Sequence, residues 1–335
     1  MKTLENISIF DNLECKNFEN SILTKKNISK FLYPEYENLV FINGKFSISF
    51  SNFSKNISIE NKDFLEINVC KRLNKKIHFL HLTTNEINSN LSKIKINIEK
   101  DSKIVILQQF LNFDDNLNIF KNVFEIFLNK NSSLDHYILQ NSENNFLLNS
   151  FKINIFENGL YNSFLSNFKA KISKFNFEVN LNEKLSKAFV NGIYLSKNQN
   201  ILNHYFEINH LESFTESSIF IKGILKDESK AFFEVSTSIS KDIKEISAKQ
   251  LNKNIILDTT AKCYSKPILW IRSSDVKCSH GSTTGYLDQD AIFFLQSRGI
   301  DLLEAKKIVL SAFLKEIYEK IDLDEVKNFI DGELL

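Results

Sequence analysis

Apolar residues alternate with polar ones along short stretches in the middle of the chain, and these stretches recur. "IKINI" begins at Ile94, "FEIFL" at Phe124, "FKINI" at Phe151, "FEVNL" at Phe177 and "FEINH" at Phe206, at spacings of 30, 27, 26 and 29 residues. A period of two marks a strand with one buried face. Four of the five are followed by "EKDS", "NKNS", "FENG" or "NEKL", turn sequences in which Asn, Asp and Ser mostly stand in for glycine. A second apolar run follows ten to thirteen residues after each start, at 104, 137, 164, 188 and 219. Two strands and two turns per repeat leave no room for a crossover helix, which excludes a doubly wound sheet. A stacked β-solenoid, in which like positions of successive coils bury a shared interior, fits the recurrence. An antiparallel sandwich or barrel also supplies short, regularly spaced strands and stays open at this point.

Beyond residue 285 the period changes to that of helices. "LDQDAIFFLQSRG" has Asp288 placed as an N-cap, Ala291, Phe294 and Leu295 on one face and Gly299 at the C-terminal cap. "DLLEAKKIVLSAFLKEIYEKI" follows, with Asp301 and Glu304 at capping-box spacing. This second helix carries two apolar stripes. Ala305, Ile308, Val309, Ala312 and Phe313 form one; Leu303, Leu310, Leu314, Ile317 and Ile321 form the other. One stripe can pack on the body, and the other needs a neighbouring helix or a partner chain. The expected organisation is a mixed N-terminal region over 1–90 containing the strand-like "NLVFINGKFSISFS", a solenoid core over 91–285 and a helical segment over 286–335.

With 335 residues, 43% of them hydrophobic, the chain can bury a large core. Its 42 basic and 41 acidic residues give a net charge of +1, so no global field draws it to nucleic acid or to an anionic membrane. The four cysteines at 15, 70, 263 and 278 are dispersed, and no signal peptide or long apolar run is visible. This points to a cytoplasmic protein with free thiols.

Chemistry-bearing motifs are few. Neither G-x-x-x-x-G-K-[ST] nor G-x-G-x-x-G occurs, so any ATP chemistry belongs to a partner. No C-x-x-C or H-E-x-x-H is present either. Cys278 and His280, two apart in "VKCSHG", share one face if they lie on a strand and could reach one metal or one iron-sulfur edge. Two donors do not close a site, and a buried structural pair is the alternative. His204 and His210 are six apart, His78 and His81 three apart, and neither spacing forms a recognised ligand set. Carboxylates are abundant but scattered, which keeps a carbohydrate-active β-helix enzyme as the alternative function.

"KPILWIRSSDVKCSHGSTTGYLDQDAIFFLQSRGIDLLEAKKIVLSAFLKEI", residues 266–317, resembles the C-terminal signature of the SufB/SufD family of iron-sulfur cluster assembly proteins, on its SufD side. The resemblance spans residues 200–320 well and 40–200 weakly. Val235 stands where the family usually has glycine, "GSTTG" replaces "GATVG", and "IFFLQSRG" replaces "LFYLRSRG"; the N-terminal region is also shorter. The resemblance implies a mainly β protein with a right-handed parallel β-helix core, a helical C-terminal segment and no catalytic activity of its own. It implies SufB as a partner at the β-helix end and the SufC ATPase on the C-terminal helices, with a homodimer when partners are absent. On that basis Phe293, Phe294, Arg298, Leu303, Leu310, Leu314 and Ile317 are expected at partner interfaces. Cys278 and His280 are expected to share a transient iron or iron-sulfur cluster with SufB, none being held stably by this chain alone.

Overall fold

The structure, a computed structural model, describes residues 25–69, 74–83, 91–112, 118–141, 145–319 and 321–334. Cys15 and Cys70 lie outside the described residues. Among the described residues a short helical stretch at Lys25–Phe31 is followed by nineteen strands divided between two sheets. One sheet holds β1 (Glu37–Ile42), β2 (Lys45–Asn52), β5 (Asn74–Thr83), β7 (Lys103–Asn112), β9 (Ser133–Asn141), β11 (Leu160–Phe168), β13 (Lys187–Ser196), β15 (Glu216–Leu225), β17 (Ile246–Ile256) and β19 (Val276–Tyr286). The other holds β3 (Ile57–Asn61), β4 (Leu65–Val69), β6 (Leu91–Ile98), β8 (Asn118–Leu128), β10 (Asn145–Ile155), β12 (Ile172–Leu181), β14 (Ile201–His210), β16 (Lys230–Ile239) and β18 (Lys262–Ile271). From β4 onward each strand pairs in parallel with the strand two along the chain, the winding of a two-sheet parallel solenoid.

The repeat positions prove to be the register itself. Ile94 pairs with Phe124, Phe124 with Phe151, Phe151 with Phe177 and Phe177 with Phe206. Stacking of successive coils brings these rings face to face: Phe124 and Phe151 lie 4.7 Å apart, Phe151 and Phe177 4.8 Å, Phe177 and Phe206 5.2 Å. Val235 continues the same column and is fully buried. The second set of apolar runs marks real strands but not one register. Tyr137 faces Phe164, whereas Ile219 faces Val190, two residues beyond Ala188. The solenoid also begins earlier than residue 91, because β1 and β5 pair in parallel and β4 pairs with β6. Short strands and hairpins there hide the period from the sequence.

Where one coil must admit a ring, its neighbour has no side chain. Gly223 pairs with Tyr194 on one side and Asn254 on the other, and a Cβ at Gly223 would overlap the Tyr194 ring. That space lets the Tyr194 hydroxyl donate to Asn254 Oδ1 at 2.7 Å. Gly223→Val is expected to cost about 2–3 kcal/mol through overpacking and the lost hydrogen bond. An unchanged urea midpoint would rule this account out.

Three helices close the chain: α1 (Gln289–Ser297), α2 (Leu302–Tyr318) and α3 (Asp324–Leu334). The caps read from the sequence form as expected. Asp288 Oδ1 accepts from the backbone N–H groups of Asp290 and Ala291, Asp301 Oδ1 from those of Leu303 and Glu304, and Gly299 takes φ +86°. The helices α2 and α3 cover the outer face of the sheet containing β7 to β15, where Leu107, Leu139, Phe164, Ile193 and Ile224 meet Leu314, Ile317, Val326 and Ile330. Lys222, buried on that face, joins Glu316 and the Phe313 carbonyl of α2. No helix among the described residues is long and apolar enough to cross a membrane.

Candidate functional site at the solenoid end

The two ends of the solenoid are finished differently. At the first end the antiparallel pairs β1–β2 and β3–β4 turn the sheets back on themselves. At the other, β18 and β19 each have a neighbour on one side only, so both sheets finish in open edges. Proteins commonly blunt such edges, because free N–H and C=O groups invite another chain to pair. Here the rim instead exposes Tyr264, Trp270, Ile271 and Tyr286.

Cys278 and His280 lie on β19, in register with Ala248 and Gln250 of β17. Those two partners are buried and face the lumen, so Cys278 and His280 share the lumenal face of the last coil, as their spacing predicts. Of the six histidines in the chain, His280 alone is exposed; the other five are buried. Cys278 packs half-buried against Ile239, Ile243 and Ile246. Burial raises its pKa, which keeps the thiol protonated near neutral pH.

A second thiol completes the end face. Cys263, on β18, lies 3.7 Å from the Tyr194 hydroxyl, and Asn254 donates to Thr284 Oγ1 at 3.3 Å. Burial also raises the Cys263 pKa. Sequence reasoning missed this group because its members come from four separate strands, Tyr194 from β13, Asn254 from β17, Cys263 from β18 and Thr284 from β19. Only their equivalent places in successive coils could have signalled it. Among the described residues no three His, Cys, Asp or Glu side chains come together as a metal site. The donor set among the described residues is therefore incomplete for a closed metal centre.

The predicted helical contact residues separate into two groups. Phe293 and Leu303 are 72% and 69% exposed, with Phe294 beside them and Arg298 over the Phe294 ring at 5.1 Å. Leu314 and Ile317, in contrast, are 1% and 6% exposed, and Leu310 is half-buried. These three are corrected to intramolecular packing residues: with Ile321 they form the part of their stripe that seats α2 on the solenoid, while Leu303 at its start stays in water. Ala305 and Val309 of the other stripe pack with Leu287 and Ile292 around α1. The exposed apolar surface is thus the outer side of the α1–α2 turn.

A groove of about 1180 Å³ on the outer face of the second sheet is lined by Glu178, Glu207 and Glu234 among others. It bears on the carbohydrate-enzyme alternative. Burial raises the Glu178 pKa, but hydrogen bonds from Asn180 and Lys152 outweigh it and the net shift is downward. Glu234 is paired with Lys266 at 3.3 Å. A glycosidase acid needs a carboxyl held protonated, and Glu178 is driven the opposite way.

Residues 81–313 match the family model described as "SUF system FeS cluster assembly, SufBD core domain". The chain belongs to the SufBD family. It is 26% identical over 269 residues to an iron-sulfur cluster assembly SufBD family protein of Synechocystis, covering 76% of this chain and 59% of that one. It is 24% identical over 261 residues to the iron-sulfur cluster assembly protein SufD of Escherichia coli, covering 76% and 61%. Against SufD of Plasmodium falciparum the figures are 25% over 290 residues, 83% of this chain and 19% of the relative. The chain thus spans about three fifths of the length of the first two relatives. Cys278, His280 and the exposed α1–α2 turn all lie inside the matched SufBD core.

Proposed function

We propose that this SufBD chain is a non-catalytic scaffold in iron-sulfur cluster assembly. It pairs with a SufB-type chain through the open solenoid end and receives a SufC-type ATPase on the α1–α2 turn. The observation that carries this reading is the unfinished end, where two sheet edges, exposed aromatic side chains and the only exposed histidine coincide. A partner strand on each edge would satisfy the free backbone groups, and Trp270, Tyr286 and Tyr264 are the large apolar anchors that such interfaces favour. The cluster is cargo in this reading. His280 and Cys278 supply two donors and the paired chain the rest.

The ATPase contact is read from Phe293, Phe294 and Leu303, large apolar side chains that stand in water at the α1–α2 turn while Leu314 and Ile317 of α2 and Ala305 are buried. Co-expression with SufB and SufC from the same source, followed by size-exclusion chromatography, tests both contacts. The double variant Phe293→Asp, Leu303→Asp is expected to weaken ATPase retention at least about tenfold, equivalent to about 1.4 kcal/mol, while leaving the thermal midpoint within the small range of surface substitutions. His280→Ala is expected to keep the complex and lose cluster. A wild-type chain that elutes alone from every mixture would refute the scaffold reading.

A further inference from the structure

Beneath His280 lies a buried amide with an unused acceptor. Gln250 is 3% exposed. Its Nε2 donates to Thr237 Oγ1 at 2.6 Å and to the Ile268 carbonyl at 3.1 Å, which uses both amide hydrogens and fixes the plane of the group. Among the described residues Gln250 Oε1 accepts from no group. Buried side-chain acceptors are rarely left so, and one that is calls for a donor. The register limits where that donor can come from. Gln250 has Ile219 on one side, which offers none, and His280 on the other. Side chains in register on parallel neighbours stand about 4.8 Å apart on the same face, within reach of a side-chain rotation.

We infer that Gln250 is the positioning residue for His280: its anchored amide oxygen accepts the N–H of one imidazole nitrogen and leaves the other nitrogen, unprotonated, facing out of the solenoid end. This rests on the proposed function for what the outward nitrogen meets, an iron ion or cluster edge, but not for the hydrogen bond itself. An exposed imidazole exchanges between two tautomers, and only one of them offers a given nitrogen as a ligand. A second-shell acceptor removes that choice and aims the ring. Thr237 and Ile268 act one step further out, because without them the Gln250 amide could turn its own N–H groups toward His280 and compete for the lone pair.

The test begins with the whole chain alone. Long-range proton–nitrogen NMR on ¹⁵N-histidine protein, with His280→Asn used to assign the signal, reads the tautomer directly. The wild type is expected to show one pyrrole-like and one pyridine-like nitrogen, and Gln250→Met to collapse them toward the averaged values of a free imidazole. Thr237→Val, which keeps Gln250 but frees its amide, is expected to fall between, and it serves if Gln250→Met does not fold. Identical nitrogen shifts in wild type and variant would overturn the inference. In the co-purified complex, iron retention by Gln250→Met is expected to drop about tenfold or more, toward that of His280→Ala. Wild-type retention despite a changed tautomer would also overturn it. A wild-type complex that carries no iron would instead sink the proposed cluster site, while the tautomer measurement still decides what Gln250 does.

Discussion

Lowering the pH from 7 to 5 is expected to unfold the solenoid, well above the range in which carboxylates titrate. Burial pushes the pKa of His81 and His136 down to about 3 and that of His78, His204 and His210 down to about 4. An unfolded histidine titrates near 6.5. Between those values the unfolded chain binds more protons than the folded one, so stability is complete above about pH 6.5 and falls as the pH drops toward the folded values. At pH 5 each histidine removes about 2 kcal/mol, and the five together about 10 kcal/mol, comparable with the whole stability of a typical domain.

At His81 the hydrogen-bond network explains why the ring cannot simply charge in place. Tyr161 Oη lies 3.1 Å from His136 Nδ1, His136 Nε2 2.9 Å from Gln108 Oε1, and Gln108 Nε2 3.1 Å from His81 Nε2. With both imidazoles neutral, each of these three contacts pairs a donor with an acceptor. A proton on His81 Nε2 would face the Gln108 N–H instead. His81 is also stacked between Phe41 and Phe110 at 4.7 Å from each. Circular dichroism against pH should show a cooperative loss of β signal with its midpoint between about pH 5 and 6 and an uptake of about five protons. A midpoint below pH 3.5 would show that the carboxylates, not the histidines, set acid stability.

The second large effect is expected from Leu314→Asp. Leu314 is packed between α2 and the outer face of the first sheet, so the substitution removes a buried leucine and puts an unpaired carboxyl in its place. The loss should be about 3–5 kcal/mol. It should release α2 and α3 rather than melt the coils, because the inner core between the sheets does not include Leu314. Lys222, whose pKa burial lowers despite the Glu316 carboxylate, gains solvation when α2 leaves and favours release. Hydrogen exchange should show protection lost over 302–334 and retained in β8 to β14. Uniform loss of protection would mean that helices and solenoid unfold as one unit. A partner-binding defect in Leu314→Asp therefore reports a detached helix, whereas Phe293 and Leu303 report the docking surface itself.

The part of this protein that sequence alone determined is its local and periodic order. A large apolar side chain every 26 to 30 residues could be read as a stacked column because identical positions in successive coils occupy the same environment, and the register confirms it residue by residue from Ile94 to Phe206. Asp288, Gly299 and Asp301 announced the helix ends because capping is a contact between near neighbours in the chain. The two-residue spacing of Cys278 and His280 likewise fixed their common face.

Tertiary structure alone decided which surfaces remained free. Both stripes of α2 are apolar, and nothing local says that Leu314 and Ile317 meet the sheet while Leu303 meets water; that depends on the shape and composition of a face built from five strands, β7, β9, β11, β13 and β15. Five histidines became neutral core residues and one became a surface ligand candidate because the neighbours that bury or expose them come from elsewhere in the chain. Gln250 lies 30 residues before His280, Thr237 another 13 before that, and only the winding of the solenoid brings the three to one end. Periodicity is written in neighbours along the chain, whereas burial is a property of neighbours in space.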